Sequence, residues 1–310
     1  MSTLRFNARG AGLRLGLATC MFTTGIVLAV PSPAAGESAP SAATVTMAGA
    51  GGTERVSYGE RIRLAGRTAP SSLVQLEHAP AGRGWRAVSQ TTAAADGGYG
   101  FSVRARRSGR WRAVTDAGAA SPPRRVTVVA RLQGRTRRHV LGVKPIGIKG
   151  KLVPGLGGRK VRLEVRSRGR WRLVDRTRTR AGGAYTAGFR PKTPGAYILR
   201  VRFAGDRSYA GDASRLPRVH VYTPGGASWY GPGFYGNRTA CGSTLTGDVK
   251  GVAHRYLPCG TKVRFFYRGR TVTARVIDRG PYHGSRSWDL TQATKSALRF
   301  GSTGTVWAAY

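Results

Sequence analysis

The sequence predicts an all-β protein: two sandwich modules followed by a C-terminal β domain that carries one short helix. Three observations predict it. Glycine and proline, 45 and 16 of 310 residues, punctuate the chain with turns. Apolar residues alternate with polar ones over short runs instead of recurring at helical spacing. One set of landmarks also occurs twice. Ile62-Arg63-Leu64-Ala65-Gly66, Val74-Gln75-Leu76-Glu77, Trp85 and Gly97-Gly98-Tyr99 match Ile146-Gly147-Ile148-Lys149-Gly150, Val161-Arg162-Leu163-Glu164, Trp171 and Gly182-Gly183-Ala184-Tyr185. The matches lie 84–87 residues apart, an internal duplication.

Residues 1–35 read as an export signal peptide. Arg5, Arg9 and Arg14 form its charged start, residues 15–30 its apolar run, and Pro31-Ser32-Pro33-Ala34-Ala35 its cleavage region. The apolar run is shorter than the ~20 residues that cross a bilayer, so a cleaved leader is expected and no stable membrane span. Cys20 offers lipid attachment as the alternative, although Thr19 suits that chemistry poorly. Small polar residues at 36–43 read as a disordered leader to the mature chain.

The sandwich modules are expected at 44–132 and 133–222, with Trp85 and Trp171 as equivalent core anchors. Asp96, before two glycines, reads as a turn residue. Arginines at every second position, as in Arg200-Val201-Arg202-Phe203, line one sheet face, either solvated or docking polyanions. Lys and Arg number 52 against 13 acids, a net charge of +39, and such a surface seeks polyanions. Export and the lack of a nucleic-acid fold motif argue against nucleic acid. Anionic wall polymers remain as partners.

Thr223-Pro224-Gly225-Gly226 reads as a hinge, and composition changes after it. The domain at 227–310 holds Cys241 and Cys259, a lone pair that in an exported chain reads as one disulfide. Closing a loop of that size contributes about 3 kcal/mol. No neighbouring Cys-x-x-Cys or His-x-His suggests a metal site, and no cofactor is expected. Strands at 263–267 and 270–277 flank a turn at Arg268-Gly269. The second ends in Asp278-Arg279-Gly280-Pro281-Tyr282. Trp288-Asp289-Leu290-Thr291 then leads into a helix at 291–299, with Thr291 as N-cap and Gly301 as its stop.

These residues carry a resemblance. Ala227-Ser228-Trp229-Tyr230-Gly231, Thr239-Ala240-Cys241-Gly242, Ala253-His254-Arg255-Tyr256-Leu257-Pro258-Cys259-Gly260-Thr261, Asp278-Arg279-Gly280-Pro281-Tyr282 and Asp289-Leu290-Thr291 are similar, in order and spacing, to the motifs of the RlpA family. The resemblance implies a six-stranded double-psi β-barrel whose groove receives peptidoglycan glycan strands. The preceding repeats resemble bacterial Ig-like modules.

The resemblance also implies chemistry. A lytic transglycosylase can work with one acid/base, because a sugar hydroxyl attacks in place of water. Asp278 is the expected catalytic carboxylate and His254 its neighbour in the groove. Tyr230, Tyr282 and Arg279 are expected to touch substrate. One element departs: the family's glutamate after Thr-Ala-x-Gly is Ser243 here. Asp248 is the nearest substitute, and Asp289 reads as a brace for the helix. The missing carboxyl keeps a second reading open, a non-catalytic module of expansin type that binds and loosens wall glycan. Either reading makes the protein secreted and wall-associated.

Overall fold

Period-two burial builds the sandwiches. In Arg61–Arg67, Ile62 and Leu64 point inward while Arg61, Arg63 and Arg67 stay in solvent. The same alternation runs through Lys160–Ser167 and Leu199–Gly205. A computed structural model of the chain describes residues 44–310; the expected leader, linker and Cys20 lie outside them. Among the described residues the one α-helix is Gln292–Leu298.

Each repeat pairs a three-stranded sheet with part of a nine-stranded one. Thr46–Met47, Arg61–Arg67 and Gly98–Arg104 form the first small sheet; Arg131–Thr136, Ile146–Val153 and Ala184–Phe189 form the second. The large sheet runs through both repeats, joined where Ala210 pairs with Val129. One apolar core extends from Val45 to Val221. The duplication is visible in detail. The Tyr99 hydroxyl donates to the Thr46 carbonyl, and the Tyr185 hydroxyl donates to the Gln133 carbonyl at 2.6 Å. Each ring crosses a glycine, Gly66 or Gly150, where any Cβ would collide with it.

Three expectations need correction. Trp85 and Trp171 are half-buried rather than core anchors. Each covers an arginine on the outer sheet face, Arg112 at 4.4 Å and Arg200 at 4.2 Å. The buried tryptophan of the first repeat is Trp111, stacked on His78. Residues 223–226 are strand, inside Val219–Tyr230, and pair with residues 305–308. The Trp288 indole lies against Gly225, so glycine there serves close approach rather than hinge motion. The helix ends at Arg299, which takes the left-handed conformation (φ 51°) expected of Gly301.

The C-terminal strands close a barrel. Neighbours run Val219–Tyr230, Trp288–Thr291, Gly251–Ala253, Arg270–Asp278, Lys262–Tyr267 and Gly304–Ala309, and the last pairs back with the first. Two of these pairings are parallel. Val252, Val263, Phe265, Val276, Leu290 and Val306 fill its core. Thr291 caps the helix and also donates to the Val249 carbonyl at 2.6 Å, fixing the helix against the barrel. The strand 219–230 belongs to two structures: Val219, His220 and Val221 pair with Tyr197, Ala196 and Gly195 of the second repeat, and Ala227 to Tyr230 pair within the barrel.

Candidate functional site

Barrel register creates a row of side chains. Asp278 pairs with Ala253, Ala253 with Asp289, and Asp289 with Ser228. Two carboxyl groups thus stand on one rung, separated by a single alanine methyl, across strands about 4.8 Å apart. Tyr230, two residues beyond Ser228, joins them.

Each member has a distinct environment. Asp278 closes its strand, and its Oδ1 accepts from the backbone N–H groups of Ala240 (2.8 Å) and Arg279 (2.9 Å). Burial pushes the Asp289 carboxyl above the usual range; the Asp278 charge adds to this, while Ser228 and Arg286 pull the other way. Oδ1 of Asp289 is buried with no partner. The Tyr230 hydroxyl is buried as well, pushed up first by desolvation and then by the charges of Asp278 and Asp289. It points toward Asp278 but meets no acceptor in good hydrogen-bond geometry.

His254 sits behind this row. Its backbone N–H donates to the Asp278 carbonyl at 3.2 Å. Nδ1 accepts from the N–H groups of Tyr256 (3.1 Å) and Leu257 (3.0 Å), so the neutral ring carries its hydrogen on Nε2. Burial holds the imidazole below its ordinary value, helped by Arg279 and Arg255. The ring packs on Trp288 at 4.5 Å. No hydrogen bond joins it to the Asp278 carboxylate.

Arg279 faces the same loop. Its guanidinium donates to the carbonyls of His254 (3.3 Å) and Leu257 (2.9 Å) and contacts Cys259 Sγ at 3.3 Å. Cys241 and Cys259 are joined in a disulfide with Cα atoms 5.7 Å apart, tying the 239–243 turn to that loop. Ser243, in the position of the family's glutamate, closes this turn. Its hydroxyl pairs with Thr239 Oγ1 at 3.0 Å, and its carbonyl accepts from the Thr239 N–H. Asp248 is fully exposed and tied to the Thr246 hydroxyl, which lowers its pKa.

Aromatic rings edge the region. Tyr282 is 74% exposed and Tyr256 84% exposed. Tyr256 went unnoticed in the sequence, although its place two residues after His254 was the available signal. Thr291 caps the helix as expected, and Asp289, read as a brace for that helix, stands in the carboxyl row. The row lies outside the larger hollows of the molecule. One of these, about 880 Å³, sits around His139 and Phe266 and has no carboxylate in its lining. Among the described residues no cluster of His, Cys, Asp and Glu could hold a metal ion.

Residues 222–310 match the family described as lytic transglycolase. The same region is 44% identical over 80 residues to the probable endolytic peptidoglycan transglycosylase RlpA of Synechocystis, covering 25% of each chain. It is 42% identical over 82 residues to the RlpA transglycosylase of Campylobacter jejuni, covering 26% of this chain and 30% of that one. An Aquifex aeolicus relative is 44% identical over 79 residues, covering 25% and 35%. This chain therefore spans only a quarter to a third of the length of these relatives. A tandem repeat from a large adhesion protein overlays 82% of the chain with a TM-score of 0.32 and 14% identity, too weak to bear on the argument. The C-terminal domain is an RlpA-like double-psi β-barrel.

Proposed function

We propose that the barrel binds peptidoglycan glycan strands and cleaves them as a lytic transglycosylase, with Asp278 as acid/base. The observation that carries this reading is the Asp278–Ala253–Asp289–Ser228 row. It supplies the carboxyl function that Ser243 lacks. Asp278 gives its proton to the glycosidic oxygen as the bond from the sugar C1 breaks. The C6 hydroxyl of the same muramyl ring bonds to C1, and its proton returns to the carboxylate. Water is not consumed and an anhydro end forms. Asp289, protonated more readily than an ordinary aspartate, hydrogen-bonds the substrate beside Asp278. His254 holds the 254–257 loop through Nδ1 and offers Nε2–H to the glycan, while Tyr230 and Tyr282 meet the sugar rings. Arg279 acts as a positioning residue for that loop. The location consistent with this work is outside the cytoplasm, at the wall.

Mass analysis of purified peptidoglycan after incubation with the protein tests the reading. Anhydromuramyl ends that disappear in Asp278→Asn support it; reducing ends would instead mean hydrolysis. The departure at Ser243 favours one second reading, a binding groove of expansin type. Under it the digest stays unchanged while the protein still sediments with the wall, and Asp278→Asn weakens that binding.

A further inference from the structure

The two repeats share a scaffold but not a surface charge. In the first, Gln75 lies directly between Gln90 and Val114 on neighbouring strands. In the second, the equivalent residue is Arg162, directly between Arg176 and Arg202. The adjacent rung differs in the same way: Leu73 opposite Thr92 becomes Lys160 opposite Arg178. The ion pair beside these rungs is retained. Glu77 pairs with Arg112 at 2.7 Å under Trp85, and Glu164 pairs with Arg200 at 2.6 Å under Trp171.

The five added cations, Lys160, Arg162, Arg176, Arg178 and Arg202, are all exposed. None takes part in an ion pair among the described residues. Asp175, the carboxylate beside Arg176, is engaged by the N–H groups of Arg176 and Gly188. Like charges directly opposite one another destabilise a sheet, and the first repeat shows that this scaffold does not need them. Their spacing, about 4.8 Å across the strands and about 6.7 Å along them, matches a ligand with regularly repeated anions.

We infer that the outer sheet face of the second repeat, centred on the Arg176–Arg162–Arg202 rung, docks a linear polyol-phosphate polymer. Arginine's planar fork suits the paired oxygens of a phosphodiester. The rung carries no aromatic ring, and Trp171 on the same face is covered by Arg200 at 4.2 Å and is not free to stack on a base. Single-stranded nucleic acid relies on such rings, so recognition here works through charge alone. The site lies outside the barrel and stands whether or not the barrel cleaves glycan.

Fluorescence titration of the protein with labelled poly(glycerol phosphate) at low salt tests the inference. The variant Arg162→Gln/Arg176→Gln/Arg202→Val copies the first repeat's rung and is expected to fold. It should bind at least tenfold more weakly, with a shallower salt dependence. The reverse graft, Gln75→Arg/Gln90→Arg/Val114→Arg, should tighten binding in the wild-type background. Removing three exposed arginines elsewhere, Arg61→Gln/Arg86→Gln/Arg270→Gln, should change affinity less than twofold. An equal loss in that control means net charge alone is at work and overturns the site. Equally tight binding of polyglutamate or oligodeoxythymidine overturns the ligand.

Discussion

Asp289 differs from an ordinary aspartate because burial desolvates its carboxyl and Asp278 stands one alanine away. Its folded pKa is raised, so ionising it works against folding once pH exceeds its unfolded value near 3.9. Asp289→Asn should therefore raise the melting temperature at pH 7, and the gain should vanish as pH falls below that value. A gain that persists at pH 3 would mean the effect is not electrostatic. Asp278→Asn, which removes the transferred proton, should lower release of anhydromuramyl ends by about 10²–10⁴-fold, and Asp289→Asn, which keeps a hydrogen-bond donor, by much less. His254 has the opposite sign: its folded pKa is depressed, so the stability it contributes is present above about 6.5 and is lost as pH falls through the folded value. The Tyr230 hydroxyl, turned toward Asp278, makes no hydrogen bond of good geometry that Phe would forfeit. Tyr230→Phe should keep its melting temperature while slowing glycan processing. Ser243→Glu introduces a carboxylate on the 239–243 turn. If that missing group limits the reaction, the variant should release anhydromuramyl ends faster, measured on the same wall preparation.

At the level of elements, the disulfide and the helix cap hold the site's two sides. Cys241→Ser should cost about 2–5 kcal/mol in denaturant unfolding, because it frees the turn from the loop that Arg279 braces. Thr291→Ala should cost about 1–3 kcal/mol, because its hydroxyl is buried and serves Val249, Gly251 and Thr294 together. Motif order made the barrel legible, the lone cysteine pair its disulfide, and the strand pattern the 268–269 turn and the strand end at Asp278. Asp289 was harder to place. Its role depends on register across four strands, which local patterning does not reveal. The tryptophans misled for a related reason. A large aromatic ring suggests a core, yet both lie on the outer face, where an arginine supplies the covering contact. Gly225-Gly226 misled in the other direction, since glycine marks close approach as often as freedom and only the position of Trp288 distinguishes them.

Over the whole molecule, the two repeats share one core and one large sheet, whereas the barrel has its own core. Calorimetry should show the repeats melting as one transition, with no separate peak for either. The charge follows a different division: the paired rungs differ between repeats while the strand pairing around them is shared.

The strand 219–230 has a mechanical consequence. A chain held at its second repeat and gripping a taut filament with its barrel would carry the tension along this strand. Residues 223–227 pair with 304–308 in a continuous ladder lying along the line of pull. Such a ladder is loaded in shear, with all its rungs resisting at once, rather than peeled open one bond at a time. The connection would behave as a stiff coupling instead of a swivel, and the barrel would stay seated under a load that extends a flexible tether.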